Sequence, residues 1–207
     1  MKTTKSHSEY WKRRSIDWNK AYLETWQHPH RYLISIALNT FDWRSLMEVG
    51  CGGGANLKNI ITTLKGKQVG GIDVSKDAIN FCEEVFKGGV FRVGNAEDIL
   101  MSDKSSDVML SDMTYIYVGP FKIMKCLKEL RRIARTKVVL FEFYEPSLIK
   151  RVLLYFKTGY FAHNWPKLLK KLGFYDIIIM KMPEQAWDKG LQTKYAYLIK
   201  ATPPKRY

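Results

Sequence analysis

The sequence predicts an α/β protein built on a mostly parallel β-sheet covered by helices on both faces. Three observations carry that expectation. Apolar runs at 45–49, 67–72, 89–94, 106–111, 137–143 and 174–181 alternate with spacers of helical periodicity at 55–64, 75–86, 120–135 and 146–172. Strands made almost wholly of apolar residues are those buried on both faces, which is the condition of a parallel sheet. The first run breaks into Gly50-Cys51-Gly52-Gly53-Gly54, and the second ends at Asp73, 23 residues after Gly50.

Ahead of the first strand, residues 9–27 read as one amphipathic helix, with Trp11, Trp18, Tyr22 and Trp26 on a single face. His28-Pro29-His30 breaks the pattern, and residues 31–40 read as a second short helix with Pro29 in its first turn. These helices suggest a cap or lid over 1–40, followed by the main domain over 41–207. Ser75 is placed to cap the helix that follows the second strand. The last run, 195–200, follows Asp188-Lys189-Gly190, a stretch too short for a crossover helix. It is therefore expected to pair antiparallel with 174–181.

Composition sets the class. A chain of 207 residues, 46% hydrophobic and 26% charged, is long enough for one globular domain with a substantial core. Cys51, Cys82 and Cys126 are scattered and lack C-x-x-C spacing, so neither a disulfide framework nor a metal site is indicated, and a reducing cytoplasm is expected. The first residues lack the apolar core of a signal peptide, and no apolar run approaches the ~20 residues that span a bilayer. The net charge of +14 is uneven: residues 101–207 hold 20 Lys/Arg against 9 Asp/Glu. That excess suits RNA, an acidic membrane surface or a phosphorylated substrate, and it serves solubility equally well.

Ligands of open α/β sheets sit at the carboxyl ends of the strands. Those ends hold Glu48 and the glycine loop; then Asp73, Val74 and Ser75; then Asn95-Ala96-Glu97; then Ser111-Asp112-Met113. Glycines let main-chain N–H groups approach a ligand, and the helix expected from Ala55 presents its unpaired N–H groups at the same place. A carboxylate at Asp73 can accept two hydrogen bonds from a ribose diol, with Val74 against an adenine face.

With these residues in place, the chain resembles the class I S-adenosylmethionine-dependent methyltransferases, of the group often labelled methyltransferase type 11, over about residues 30–200. Glu48, Gly50, Gly52 and Gly54 match that family's (D/E)-x-G-x-G-x-G loop, with Cys51 inside it, and Asp73 matches its ribose-binding acid. Asn95-Ala96-Glu97 resembles the adenine-side segment, and Asp107-Val108-Met109-Leu110 resembles strand four. The resemblance implies a three-layer Rossmann-like fold of seven strands in the order 3-2-1-4-5-7-6, the last strand antiparallel, with S-adenosyl-L-methionine as cofactor. Two departures stand out. Asn95 replaces the usual acid, leaving the adenine amino group to its side-chain oxygen or to Glu97. Ala134-Arg135-Thr136-Lys137 replaces the usual Lys-Pro-Gly-Gly, which implies a tighter turn before strand five. The competing reading is a nicotinamide dinucleotide fold, since Gly50 to Ala55 also satisfies G-x-G-x-x-A. Glu48 and Asn95-Ala96-Glu97 favour the methyl donor.

Methyl transfer from a sulfonium rests mainly on alignment, and a base is needed only for a hydroxyl or protonated-amine acceptor. The candidates for that role are Asp112, Glu142 and His163, with His28, His30 and Glu145 behind them. Arg31 and Ser111 are candidates for the cofactor side, Arg31 for the methionine carboxylate. No Asn/Asp-Pro-Pro-aromatic sequence follows strand four, which argues against exocyclic base amines. A small-molecule acceptor methylated on oxygen or nitrogen is the leading expectation. The alternatives are a cofactor-binding partner subunit without turnover, or a methyltransferase acting on RNA or a membrane-associated lipid. The last two draw on the cationic face Lys122, Lys125, Lys128, Arg132 and Arg135, and on the apolar stretch between Lys150 and Lys157.

Overall fold

The computed structural model describes residues 7–187 and 189–205. Residues 1–6 of the expected cap and Asp188 of the expected turn lie outside the described residues. Seven strands form one sheet: β1 (Ser45–Val49), β2 (Gln68–Asp73), β3 (Val90–Val93), β4 (Ser106–Asp112), β5 (Ala134–Phe143), β6 (Tyr175–Lys181) and β7 (Ala196–Thr202). Their order is β3-β2-β1-β4-β5-β7-β6. The pairs from β3 to β5 are parallel, and β7 runs antiparallel to both β5 and β6. This is the three-layer arrangement the sequence predicts.

Alternation along each strand builds two cores. Leu46, Val108, Leu110, Val139 and Phe141 face α3 (Pro29–Leu38), α4 (Ala55–Thr63) and α5 (Lys76–Val85). Met47, Val49, Met109, Val138 and Leu140 face α6 (Ile123–Ile133) and α8 (Trp165–Lys171). Successive strand residues point to opposite faces, so an apolar run with no polar partner residue feeds both cores at once.

Four expectations change in detail. Residues 9–27 form two helices, α1 (His7–Arg13) and α2 (Trp18–Thr25), because Asp17 leaves helical geometry and accepts the Lys20 N–H at 2.9 Å as an N-cap. Residues 146–172 divide into α7 (Leu148–Thr158) and α8, since Gly159 closes α7 at φ 76° and Asn164 caps α8. The link from β6 to β7 contains a 3₁₀ turn at Glu184–Ala186 and the short α9 (Leu191–Tyr195), although β7 pairs with β6 as expected. Finally, β5 starts at Ala134, directly after α6 ends at Ile133. The missing turn is replaced by an ionic clasp in which Arg135 meets Asp107 at 2.9 Å and donates to the Ser105 carbonyl at 2.7 Å.

Candidate active site

A cavity of about 510 Å³ opens over the carboxyl ends of β1, β2 and β4. Its floor is the glycine loop. Gly50 has φ +74°, and a Cβ there would lie 2.1 Å from Thr114 Oγ1, so both the backbone angle and the close approach require glycine. Thr114 in turn donates to the Val49 carbonyl at 3.1 Å, joining the loops after β1 and β4. On the open side, the Trp18 ring lies over Gly52 and Gly53, which makes α2 a wall of the cavity.

The acid predicted for the ribose side is oriented by the backbone. Asp73 Oδ2 accepts the Gly52 N–H and Oδ1 accepts the Ser75 N–H, each at 2.9 Å. Burial raises its pKa, while those N–H groups favour the ionised form. Val74, Asn95, Ala96 and Glu97 continue this wall. Asn95 Oδ1 already accepts the Glu97 N–H at 3.2 Å, and Glu97 pairs with Lys122 at 2.8 Å. Both candidates for the adenine amino group are therefore already engaged, Asn95 in a local turn and Glu97 with the start of α6.

A second acidic group closes the other end. Asn56, in the first turn of α4, donates through Nδ2 to Glu48 at 2.5 Å and to Asp112 Oδ2 at 3.0 Å, and its Oδ1 accepts from Arg31. His30 Nε2 also lies 3.0 Å from Asp112 Oδ2, and His28 sits behind it at 2.6 Å between the two Nδ1 atoms. Trp187 stacks on His30 at 4.4 Å. Burial pushes Glu48 up to about 8, so the acid is protonated at neutral pH. Burial acts on Asp112 in the same direction, but His30 and Arg31 outweigh it and hold Asp112 below the usual carboxylate range. Glu48 Oε2 and Asp112 Oδ1 are buried and lack a partner among the described residues. Both residues line the cavity, as does Arg31.

The remaining predicted residues lie behind the cavity. Glu142 is fully buried, and its Oε1 accepts from Ser111 Oγ at 2.7 Å and from the Thr114 and Tyr115 N–H groups at 2.9 and 3.0 Å. Burial raises it to about 8. Glu142 and Ser111 thus anchor the turn that carries Thr114. His163 is buried with Nε2 3.0 Å from the Val118 carbonyl, and burial lowers its pKa to about 4, which makes it a neutral donor. Neither Glu142, Ser111 nor His163 lines the cavity. Gly54, at φ +77°, turns the chain into α4, where a Cβ would strike Phe86 at 2.5 Å.

Three contributors escape a sequence reading. Asn56 has the only available clue, its place in the first turn after a glycine loop. Trp11 and Trp18 read as core, yet both line the cavity with buried indole N–H groups that lack a partner among the described residues. Tyr117, Val118 and Phe161 complete this aromatic half.

Residues 47–141 match the family model described as a methyltransferase domain. A fatty-acid O-methyltransferase of Mycolicibacterium smegmatis is 29% identical over 96 residues, which is 42% of this chain and 35% of that protein. Among solved structures, a Pyrococcus horikoshii protein superposes with a TM-score of 0.66 at 20% identity, over 95% of this chain and 99% of the other. The Streptomyces coelicolor geranyl diphosphate C-methyltransferase, solved with Mg2+, geranyl-S-thiolodiphosphate and S-adenosyl-L-homocysteine, gives 0.71 at 14% identity over 95% and 96%. Residues 47–141 thus match a methyltransferase domain, and the described chain has the Rossmann-like fold of class I methyltransferase structures.

The cofactor of such a methyltransferase is S-adenosyl-L-methionine, and the cavity fits it. Its methionine end carries an ammonium and a carboxylate. Two orphaned acidic oxygens beside a guanidinium match that pair of charges, and Asp73 sits across the cavity for a ribose diol.

Proposed function

We propose that the protein transfers the methyl group of S-adenosylmethionine to an already deprotonated oxygen, best a carboxylate, of a small apolar acceptor. In this reading Asp73 holds the ribose hydroxyls, Glu48 and Asp112 share the ammonium, and Arg31 takes the carboxylate. The cofactor supplies an activated methyl carbon, and the protein's work is to hold the nucleophile in line with the departing sulfur.

The observation that carries the acceptor is the aromatic half of the cavity. Trp11, Trp18, Tyr117 and Phe161 offer apolar walls, and the two unpartnered indole N–H groups offer donors for an oxygen. With Asp112 committed to the ammonium, the described residues of this half leave no free base. Burial raises Tyr117 to about 12, so its phenol stays protonated. An acceptor that is itself an anion needs no base. The partial similarity to a fatty-acid O-methyltransferase supports the same chemistry.

The test is incubation with methyl-labelled S-adenosylmethionine and separate pools of fatty and aromatic carboxylic acids, phenols, amines and RNA. The expected outcome is label in the carboxylic-acid pool, released as methanol by mild alkali. Label found only in amines or RNA contradicts the acceptor, and no transfer to any pool contradicts the enzyme reading.

A further inference from the structure

Helix α7 carries an apolar face that the rest of the described residues leave uncovered. Leu148, Val152 and Phe156 follow at every fourth position, with Ile149 and Leu153 beside them, and their exposures run from 45% at Val152 to 80% at Phe156. The opposite side holds Leu154, buried with Ile116, Phe143 and Ala162. A helix of 11 residues sequestering one side chain has most of its apolar surface facing outward.

Charge defines what this face fits. At 3.6 residues per turn, Lys150 and Lys157 border the apolar band beside Leu153, and Arg151 borders it on the Leu148 side. The helix contains no acidic residue. The half of the chain that contains it holds 20 Lys/Arg against 9 Asp/Glu. A second copy of this chain docked face to face would bring these cations against their own kind, whereas anionic headgroups complement them. No helix among the described residues is long and apolar enough to cross a membrane. An apolar band edged by cations suits a helix lying in the plane of the bilayer interface.

The position of the face relates it to the cavity. Tyr155 stacks on Phe161 at 4.5 Å, and Phe161 lines the cavity next to Gly119. Phe121, two residues further on, is 97% exposed. We propose that α7 docks the protein on an anionic phospholipid bilayer, with its apolar band among the acyl chains and Lys150, Arg151 and Lys157 on the headgroups. This goes beyond methyl transfer and holds for any acceptor.

The experiment is sedimentation of the full chain with vesicles of phosphatidylcholine alone and of phosphatidylcholine mixed with phosphatidylglycerol. The expected result is binding at least about tenfold stronger to the mixed vesicles and weakened by salt. The Leu153→Asp/Phe156→Asp double variant loses about tenfold or more of that binding, while its melting temperature and S-adenosylmethionine affinity stay unchanged. Lys150→Gln/Lys157→Gln loses the preference for the anionic vesicles. Absence of binding to either vesicle overturns the proposal. So does full binding by the double aspartate variant, which would assign the attraction to net charge alone. A wild-type dimer that Phe156→Asp converts to monomer also overturns it, in favour of a second copy.

Discussion

Glu48 shows how one buried acid ties folding, pH and cofactor binding together. Its pKa of about 8 means that the folded protein holds a proton there which the unfolded chain, near 4.5, gives up at neutral pH. The folded state therefore binds more protons, and this contribution to stability declines as pH rises from about 4.5 to about 8. Glu142 adds a decline of the same sign over the same range. An ammonium placed beside Glu48 Oε2 favours the ionised form, so binding expels the proton. S-adenosylmethionine affinity is therefore expected to rise with pH up to about 8. Calorimetry at neutral pH in buffers of different ionisation enthalpy should show a fraction of a proton released per site, and a release that Glu48→Gln removes. At this scale the sequence was informative wherever the backbone needs a particular residue: Gly50, Gly52 and Asp73 are legible from spacing alone. Glu142 is legible as an acid near the end of strand five and His163 as a histidine in the insert between strands five and six, but depth is a property of packing. The structure puts both behind the cavity wall, where they hold loops.

The elements around the site act through one polar ladder. Arg31 and Ser35 on α3 meet Asn56 and Asn59 on α4, with Ser35 Oγ donating to Asn59 Oδ1 at 2.8 Å. Each such buried bond contributes about 1 kcal/mol net, and much more is lost if one partner is left alone. The ladder fixes the N-terminal helices against the glycine loop, and Tyr22, Ile34 and Leu38 join the same buried cluster as Leu57 and Ile60 of α4. Trp18 is the side chain through which α2 touches the loop. Trp18→Ala should weaken S-adenosylmethionine binding about tenfold, from lost aromatic contact, with a change of at most about 1 kcal/mol in stability. Parallel titrations and urea melts measure both. The central strands were readable because a doubly covered strand is apolar throughout, and six of the seven strands begin within about one residue of the expected position, including the largely exposed edge strands β3 and β6. The break at Asp17 was not, since a cap inside a regular aromatic spacing is a local hydrogen bond that periodicity does not register.

At the scale of the whole molecule, the cations around α6 and those on α7 behave differently. On α6 and the residues flanking it, Arg132 donates to Glu129, Asp103 and the Ile99 and Met101 carbonyls, Arg135 clasps Asp107, and Lys122 pairs with Glu97. The cationic stripe expected from the sequence is thus largely engaged inside the fold, with Lys125 and Lys128 exposed. On α7, by contrast, cations edge an apolar band. Fold and cofactor follow from one arrangement, strand ends converging on a glycine loop with an acid at each end of the cavity. The most direct measurement of that arrangement is calorimetric titration of S-adenosylmethionine into the wild-type protein and Asp73→Asn, with melting temperatures as the control for folding. This arrangement requires a one-to-one complex in the micromolar range for the wild type and about 100-fold weaker binding for the variant at similar melting temperature. Equal affinity for the two proteins, or no binding by the wild type, would contradict it.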